Sequence, residues 1–227
     1  MHEGASAIEP FSEAGFRLAA TRGLHSRPPD TSRGGEPDRD AIVASPSDFD
    51  LNPDAVAWLK DHPAPRPAAV LVPIVARDSL TVLLTQRTDS LPNHAGQIAF
   101  PGGKIEERDR DPIAAALREA QEEIGLVPDL VEPLGYLDAY RTGTGYRILP
   151  VVALVRPGFE LKLDAREVAD AFEVPLSFLM DARNHQMHVR SIRGVERRFY
   201  AMPFEERYIW GATAGIMRNM HQRLFPA

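Results

Sequence analysis

At 227 residues and a formal net charge of −6, the chain has room for one sizeable domain plus an appendage, and it lacks the basic footprint of a general nucleic-acid binder. It has no cysteine, which excludes disulfides and thiolate metal ligands, and no apolar run of the length that crosses a bilayer as a helix. The first residues carry Glu3, Glu9 and Glu13 and lack the basic start and apolar core of a secretory signal, so a cytoplasmic location is expected.

Residues 1–50 are expected to form a weakly helical extension and linker, and residues 51–227 the folded domain. FSEAGFRLAATRGL favours a short helix with Phe11, Phe16 and Leu18 loosely on one side. From His25 to Ser47 the chain is rich in Pro, Gly, Ser, Asp and Arg, a composition that buries little. Asn52-Pro53 is a cap and first-turn pair for a helix DAVAWLKDH that ends before Pro63. Strand patterns follow at 67–76, 80–87 and 98–100, the last leading into Pro101-Gly102-Gly103.

The segment 111–125 reads as a helix. Asp111-Pro112 is its start, Ile113, Ala116, Leu117, Ala120 and Ile124 its apolar stripe, and Gly125 its stop. Glu119, Glu122 and Glu123 project from one flank, with Glu119 and Glu123 one turn apart. Like charges at that spacing repel unless a cation lies between them, and hard divalent cations take such oxygens together with substrate phosphates. A solvated acidic flank has the same composition, and only the neighbouring Gly-Gly turn makes the pattern specific.

Beyond this helix, 131–142 and 147–156 read as strands around Gly143-Thr144-Gly145. Residues 165–179 mix turn, strand and short helix. A hairpin about Gly194 and a strand 207–210 precede a C-terminal helix with Ile216, Met217, Met220 and Leu224 at core spacing. Several strands and two flanking helices predict a mixed sheet between helical layers.

The stretch FPGG followed by REAQEEIGL resembles the Nudix hydrolase box, G-x(5)-E-x(7)-R-E-U-x-E-E-x-G-U. Arg118, Glu119, Ala120, Glu122, Glu123, Gly125 and Leu126 match its helical half. The loop half departs from it: Gly103 to Arg118 is one residue longer than the pattern, and Asp109 stands for the first Glu. Upstream, LLTQRTDSLPNHAGQIAFPGG is similar to the signature of the coenzyme A pyrophosphatase branch, with Thr88 for Ser or Ala and Pro92 for Arg. TGYRILPVVALV and YIWGATAGIMR also look like stretches of that branch, so the resemblance spans about residues 67–218.

The resemblance implies an α/β fold of the Nudix type, an αβα sandwich with a mixed sheet. It also implies hydrolysis of the diphosphate bond of coenzyme A or its derivatives to 3′,5′-ADP and (acyl-)4′-phosphopantetheine. Mg²⁺ or Mn²⁺ would be held by Glu119 and Glu123 with Glu122, and Arg118 would orient the glutamates. Glu122 and Glu167 are both candidates for the general base. Arg87, Gly102 and Gly103 are candidate substrate contacts. Arg87 alone also reads as a surface cation beside Asp89, and His94 as a polar turn residue. Tyr146 is a candidate for stacking on adenine and equally a core tyrosine. The alternatives are a Nudix hydrolase of ADP-ribose, a dinucleotide or another nucleotide, and a non-catalytic nucleotide-sensing module. The expected partner is a small-molecule nucleotide, without nucleic acid or membrane; monomer and homodimer are both open.

Overall fold

The computed structural model describes residues 9–29, 32–33, 36–37, 46–52, 64–90, 94–192 and 194–226. The expected helix at 53–62 and Pro92 lie outside the described residues. The elements are α1 (Glu13–Gly23), β1 (Ser32–Arg33), β2 (Glu36–Pro37), β3 (Arg66–Val75), β4 (Thr81–Arg87), β5 (Ile98–Ala99), β6 (Gly102–Lys104), α2 (Pro112–Ile124), β7 (Val131–Tyr136), β8 (Tyr140–Arg141), β9 (Tyr146–Val155), β10 (Val168–Pro175), α3 (Leu176–Leu179), β11 (Gln186–Ile192), β12 (Val195–Phe204), β13 (Arg207–Trp210) and α4 (Ala212–Leu224).

The main sheet runs β10-β4-β3-β9-β7, with β5 on β4, β6 on β3 and β8 on β9. Strands β3 and β9 pair in parallel from Arg66↔Tyr146 to Val75↔Val155, and the other ladders are antiparallel, so the sheet is mixed. The near-continuous apolar runs of β3 and β9 follow from burial on both faces. Alternation along β3 sends Ala69 and Leu71 to the α2 side, where they meet Ala116, Ala120 and Ile124. Val72 and Ile74 go to the other side, against Phe16 of α1 and Met217 and Met220 of α4. These are the two helical layers of an αβα sandwich. Strands β11-β12-β13 form a separate three-stranded sheet, whose Met202 and Ile209 enter the α1/α4 side of the core.

The N-terminal helix differs from the expected loose appendage. Ser12 caps it by accepting from Gly15 N, Phe16 is fully buried, and Phe11 stacks near Phe225 at 5.2 Å. Arg17 donates to both Glu132 oxygens at 2.7 Å, fixing α1 to β7. Leu18, expected on the apolar side, faces solvent. Five apolar positions in eleven residues, three of them alanine, made this helix look weak; its stability comes from the sheet and α4 beneath it.

Candidate active site

Helix α2 begins and ends where its sequence dictates. Asp111 accepts from Ala114 N at 2.8 Å, Pro112 occupies the first turn, and Gly125 takes a left-handed φ of 70°. A residue with a Cβ would be strained at that last position. The apolar stripe packs on β3 and β9, which leaves Glu119 and Glu123 over the Gly102–Lys104 strand.

The two glycines are required by close approach. A Cβ on Gly103 would lie 2.5 Å from the Glu119 carboxylate. A Cβ on Gly102, whose φ is 156°, would lie 2.5 Å from Ala69 O and 2.6 Å from Val70 Cα. The missing side chains let the turn fit between β3 and the helix. Gly102 N donates to Glu123 Oε2 at 3.1 Å.

Glu123 is 5% exposed. Burial pushes its carboxyl up to about 8; the Gly102 N–H and Arg87 oppose that shift, and Glu119 and Glu167 add to it. Burial also raises Glu119, against the pull of Arg118 and with repulsion from Glu122 and Glu167. Three carboxylates thus feel one another in a partly desolvated site, an arrangement that favours either a shared proton or a cation. On the cationic side, Arg87 ends β4, and its buried Nε has no hydrogen-bond partner among the described residues.

Arg118 sits behind this cluster. Its Nε and Nη2 donate to the two Asp109 oxygens at 3.0 Å each, and Nη1 donates to Glu119 at 2.9 Å and Glu122 at 3.1 Å. Nη2 also donates to Lys104 O at 3.1 Å. Asp109 is 4% exposed, and the arginine holds its carboxyl below the usual range. The unusual loop length resolves here. Aspartate is one methylene shorter than glutamate, yet across the longer segment it still reaches Arg118 with both oxygens.

Glu122 is the most exposed of the three helix glutamates: its side chain is 53% exposed and bonds Arg118 and, at 3.5 Å, Arg108, while its charge acts on Glu119. Among the described residues no group of three or more His, Asp or Glu side chains is arranged to hold a metal. Glu119 and Glu123 still suit a divalent cation. Glu123 is buried with one backbone N–H and, among the described residues, no ion pair, and Mg²⁺-type sites use one or two carboxylates, waters and substrate phosphates.

Glu167 arrives from the edge of β10. Its carbonyl accepts from Thr88 N, and its charge acts on both Glu119 and Glu123. This places two distant candidates, Arg87 and Glu167, beside the helix glutamates. Tyr146 lies at the start of β9 with the Arg66 guanidinium 4.0 Å from its ring centre, so one face is already covered by a cation. His94 is exposed, has φ 59° and bonds Gln97 Oε1 at 2.8 Å. Asp48, which carries no motif, was missed; it is half-buried and bonds the loop before Tyr146 through Gly143 N.

The NUDIX domain model matches residues 65–193, and the chain belongs to that family. It is a Nudix hydrolase of nucleoside diphosphate derivatives, a family that generally uses divalent metal ions. It is 42% identical over 156 residues to the "Uncharacterized Nudix hydrolase NudL" of Escherichia coli K12, which covers 68% of this chain and 81% of that protein. The Citrobacter koseri protein of the same name is 44% identical over the same shares. Among solved structures, the NUDIX domain of Shewanella oneidensis NrtR complexed with ADP ribose is 25% identical with a TM-score of 0.40, over 56% of this chain and 84% of that one. A MutT/nudix family protein from Enterococcus faecalis is 19% identical with a TM-score of 0.45, over 74% and 67%.

Proposed function

We propose that this Nudix hydrolase cleaves the diphosphate bond of coenzyme A or its derivatives, giving 3′,5′-ADP and (acyl-)4′-phosphopantetheine. The observation that carries the chemistry is the placement of Glu119 and Glu123 against the Gly102-Gly103 turn, where the charge of Glu167 acts on both and that of Arg87 on Glu123. The substrate reading rests on residues 83–103, where Leu83, Leu84, Thr85, Arg87, Gly96 and Phe100 to Gly103 fit the coenzyme A signature. Pro92 in place of arginine favours a second reading, in which another nucleoside diphosphate derivative such as ADP-ribose is the substrate.

Glu119 and Glu123, with Glu122, would hold Mg²⁺ or Mn²⁺, which when bound would neutralise the diphosphate and lower the pKa of water. Arg87 contacts a phosphate oxygen: its buried Nε has no hydrogen-bond partner among the described residues, and its charge acts on Glu123. Arg118 keeps Glu119 in position and is itself held by Asp109. Glu167 faces both metal-holding carboxylates and accepts the proton of the attacking water, a role the exposed Glu122 is poorly placed to fill. Tyr146 offers its free face to the adenine. Residues 51–227 carry the residues of the reaction, with α1 packed onto their core, in a cytoplasmic protein.

The test is incubation with coenzyme A, ADP-ribose and a dinucleotide, with Mg²⁺ or Mn²⁺ and with chelator. Metal-dependent release of 3′,5′-ADP from coenzyme A is expected; cleavage of ADP-ribose alone would reject the coenzyme A assignment. Glu119→Gln and Glu123→Gln should each lower kcat on the order of 10²-fold or more. Glu123→Gln should leave the metal-free protein as stable as before or more so, because it replaces a carboxyl whose ionisation burial disfavours with a neutral amide. Near-normal turnover in both variants would refute the metal-site assignment.

A further inference from the structure

Residues 46–52 lie upstream of the matched NUDIX segment, yet they are built into the sheet. Asp48 N donates to Arg141 O and Arg141 N to Pro46 O, both at 3.1 Å, so the segment adds to β8. Within it, Ser47 and Asp50 close a turn through Ser47 Oγ–Asp50 Oδ1 at 2.7 Å. Its far end is pinned by Asn52, which donates to Arg198 O at 2.8 Å and accepts from Arg198 N at 2.9 Å.

The Asp48 carboxylate is turned inward. Oδ1 accepts from Tyr140 OH and Oδ2 from Gly143 N, each at 2.8 Å. Burial pushes this carboxyl up, the two hydrogen bonds oppose that, and Asp50 and His94 are the charged groups that act on it. At the base of the loop it holds, Thr142 is buried and bonds Thr144 Oγ1 and Tyr146 N, but the tip is open. Gly143 and Thr144 are exposed, and Gly145, at φ 83°, has open space where a Cβ would stand. That loop leads into Tyr146, and His94 lies in the segment that returns to Arg87, whose N–H bonds Gln97 O. Asp48 therefore bonds the loop that carries Tyr146, and its carboxylate feels the charge of His94 on the segment that returns to Arg87. A half-buried carboxylate still carries a desolvation cost, and placing one against the exposed tip of a glycine loop is explained when that tip must be ordered before a ligand arrives.

We propose that residues 46–52 are part of the substrate site, with Asp48 as the positioning residue that holds the 142–145 loop at its mouth. This rests on the reading that Arg87 and Tyr146 face a nucleotide. Without Asp48, substrate binding must order the loop, which weakens ground state and transition state alike and raises KM with little change in kcat.

The experiment compares Asp48→Ala, Asp48→Asn and wild type in the full chain, on whichever diphosphate nucleotide the wild type cleaves. Asp48→Ala leaves the Gly143 N–H and Tyr140 OH without an acceptor, and KM should rise about 10-fold with kcat within about 2-fold. Asp48→Asn retains one carbonyl acceptor for Gly143, and its amide can donate to the tyrosine hydroxyl, so it should restore most of the lost affinity. Tyr140→Phe, which removes one of the two bonds and keeps the ring in the core, gives a milder rise in KM and serves if Asp48→Ala does not fold. Thermal stabilisation by Mn²⁺ alone should persist in all three variants. A wild-type KM in Asp48→Ala and Tyr140→Phe, a fall in kcat without a rise in KM, or Asp48→Asn as impaired as Asp48→Ala would each overturn the proposal while leaving the hydrolase reading intact. A wild type that cleaves no nucleotide would overturn both.

Discussion

Gly102 and Gly103 are adjacent and serve different ends. At Gly103 the obstacle to a Cβ is the Glu119 carboxylate, the mobile tip of a long side chain. Gly103→Ala should therefore fold, with a melting temperature within a few degrees of wild type, but with Glu119 displaced and turnover reduced about 10- to 100-fold. At Gly102 the obstacle is the backbone of β3, and φ is 156°. Gly102→Ala should cost stability directly, about 1–3 kcal/mol by denaturant titration. If Gly103→Ala destabilises more than Gly102→Ala, the assignment of these two contacts is reversed. The same local reasoning explains Arg118. Its match to the box motif was legible, but its bidentate pairing with Asp109 depended on how the longer loop closes.

Among the elements, α1 shows how little an isolated segment reveals. Its sequence has a weak apolar stripe, but Phe16 is fully buried against β7, the sheet face and α4, and Arg17 reaches Glu132 with both nitrogens. Phe16→Ala should cost about 3–5 kcal/mol in urea denaturation, as for a core aromatic. A loss under about 1 kcal/mol would return α1 to the status of an appendage. Helix α2 is the opposite case. Its cap, stripe and glycine stop were all readable, because each is a local feature within a few residues.

For the molecule as a whole, Asp138 joins the two ends of the chain. It bonds His25 at 2.8 Å, Asn219 at 2.8 Å and Arg223 at 3.0 and 3.1 Å, while Arg223 Nε reaches Gly23 O. Burial raises its carboxyl, but these partners outweigh burial and hold it below the ordinary 3.8. A depressed carboxyl stabilises the fold above its unfolded pKa and loses that contribution as pH falls through its folded pKa. Asp138→Asn should thus be less stable than wild type at pH 7, by about 2 kcal/mol, with the gap shrinking below about pH 4. A gap that stays constant from pH 7 to pH 3 would show that Asp138 acts through packing alone.

Strand alternation, helix periodicity and end signals act over neighbours in the chain, so the mixed sheet, α2 and the Glu119–Glu123 pair were readable before any coordinates. The box residues and the Gly-Gly turn likewise lie within some twenty positions of one another. Tertiary structure decided the rest. Periodicity puts Glu122 on the same flank as Glu123, but not whether an arginine draws it outward. Glu167 and Arg87 meet the helix because β10 pairs with β4 in the register Val168↔Arg87. Asp48 finds Tyr140 across 92 residues, through backbone pairing that composition does not encode. Which side chains share a space is set by the sum of many weak long-range contacts, and no single stretch of sequence carries that sum.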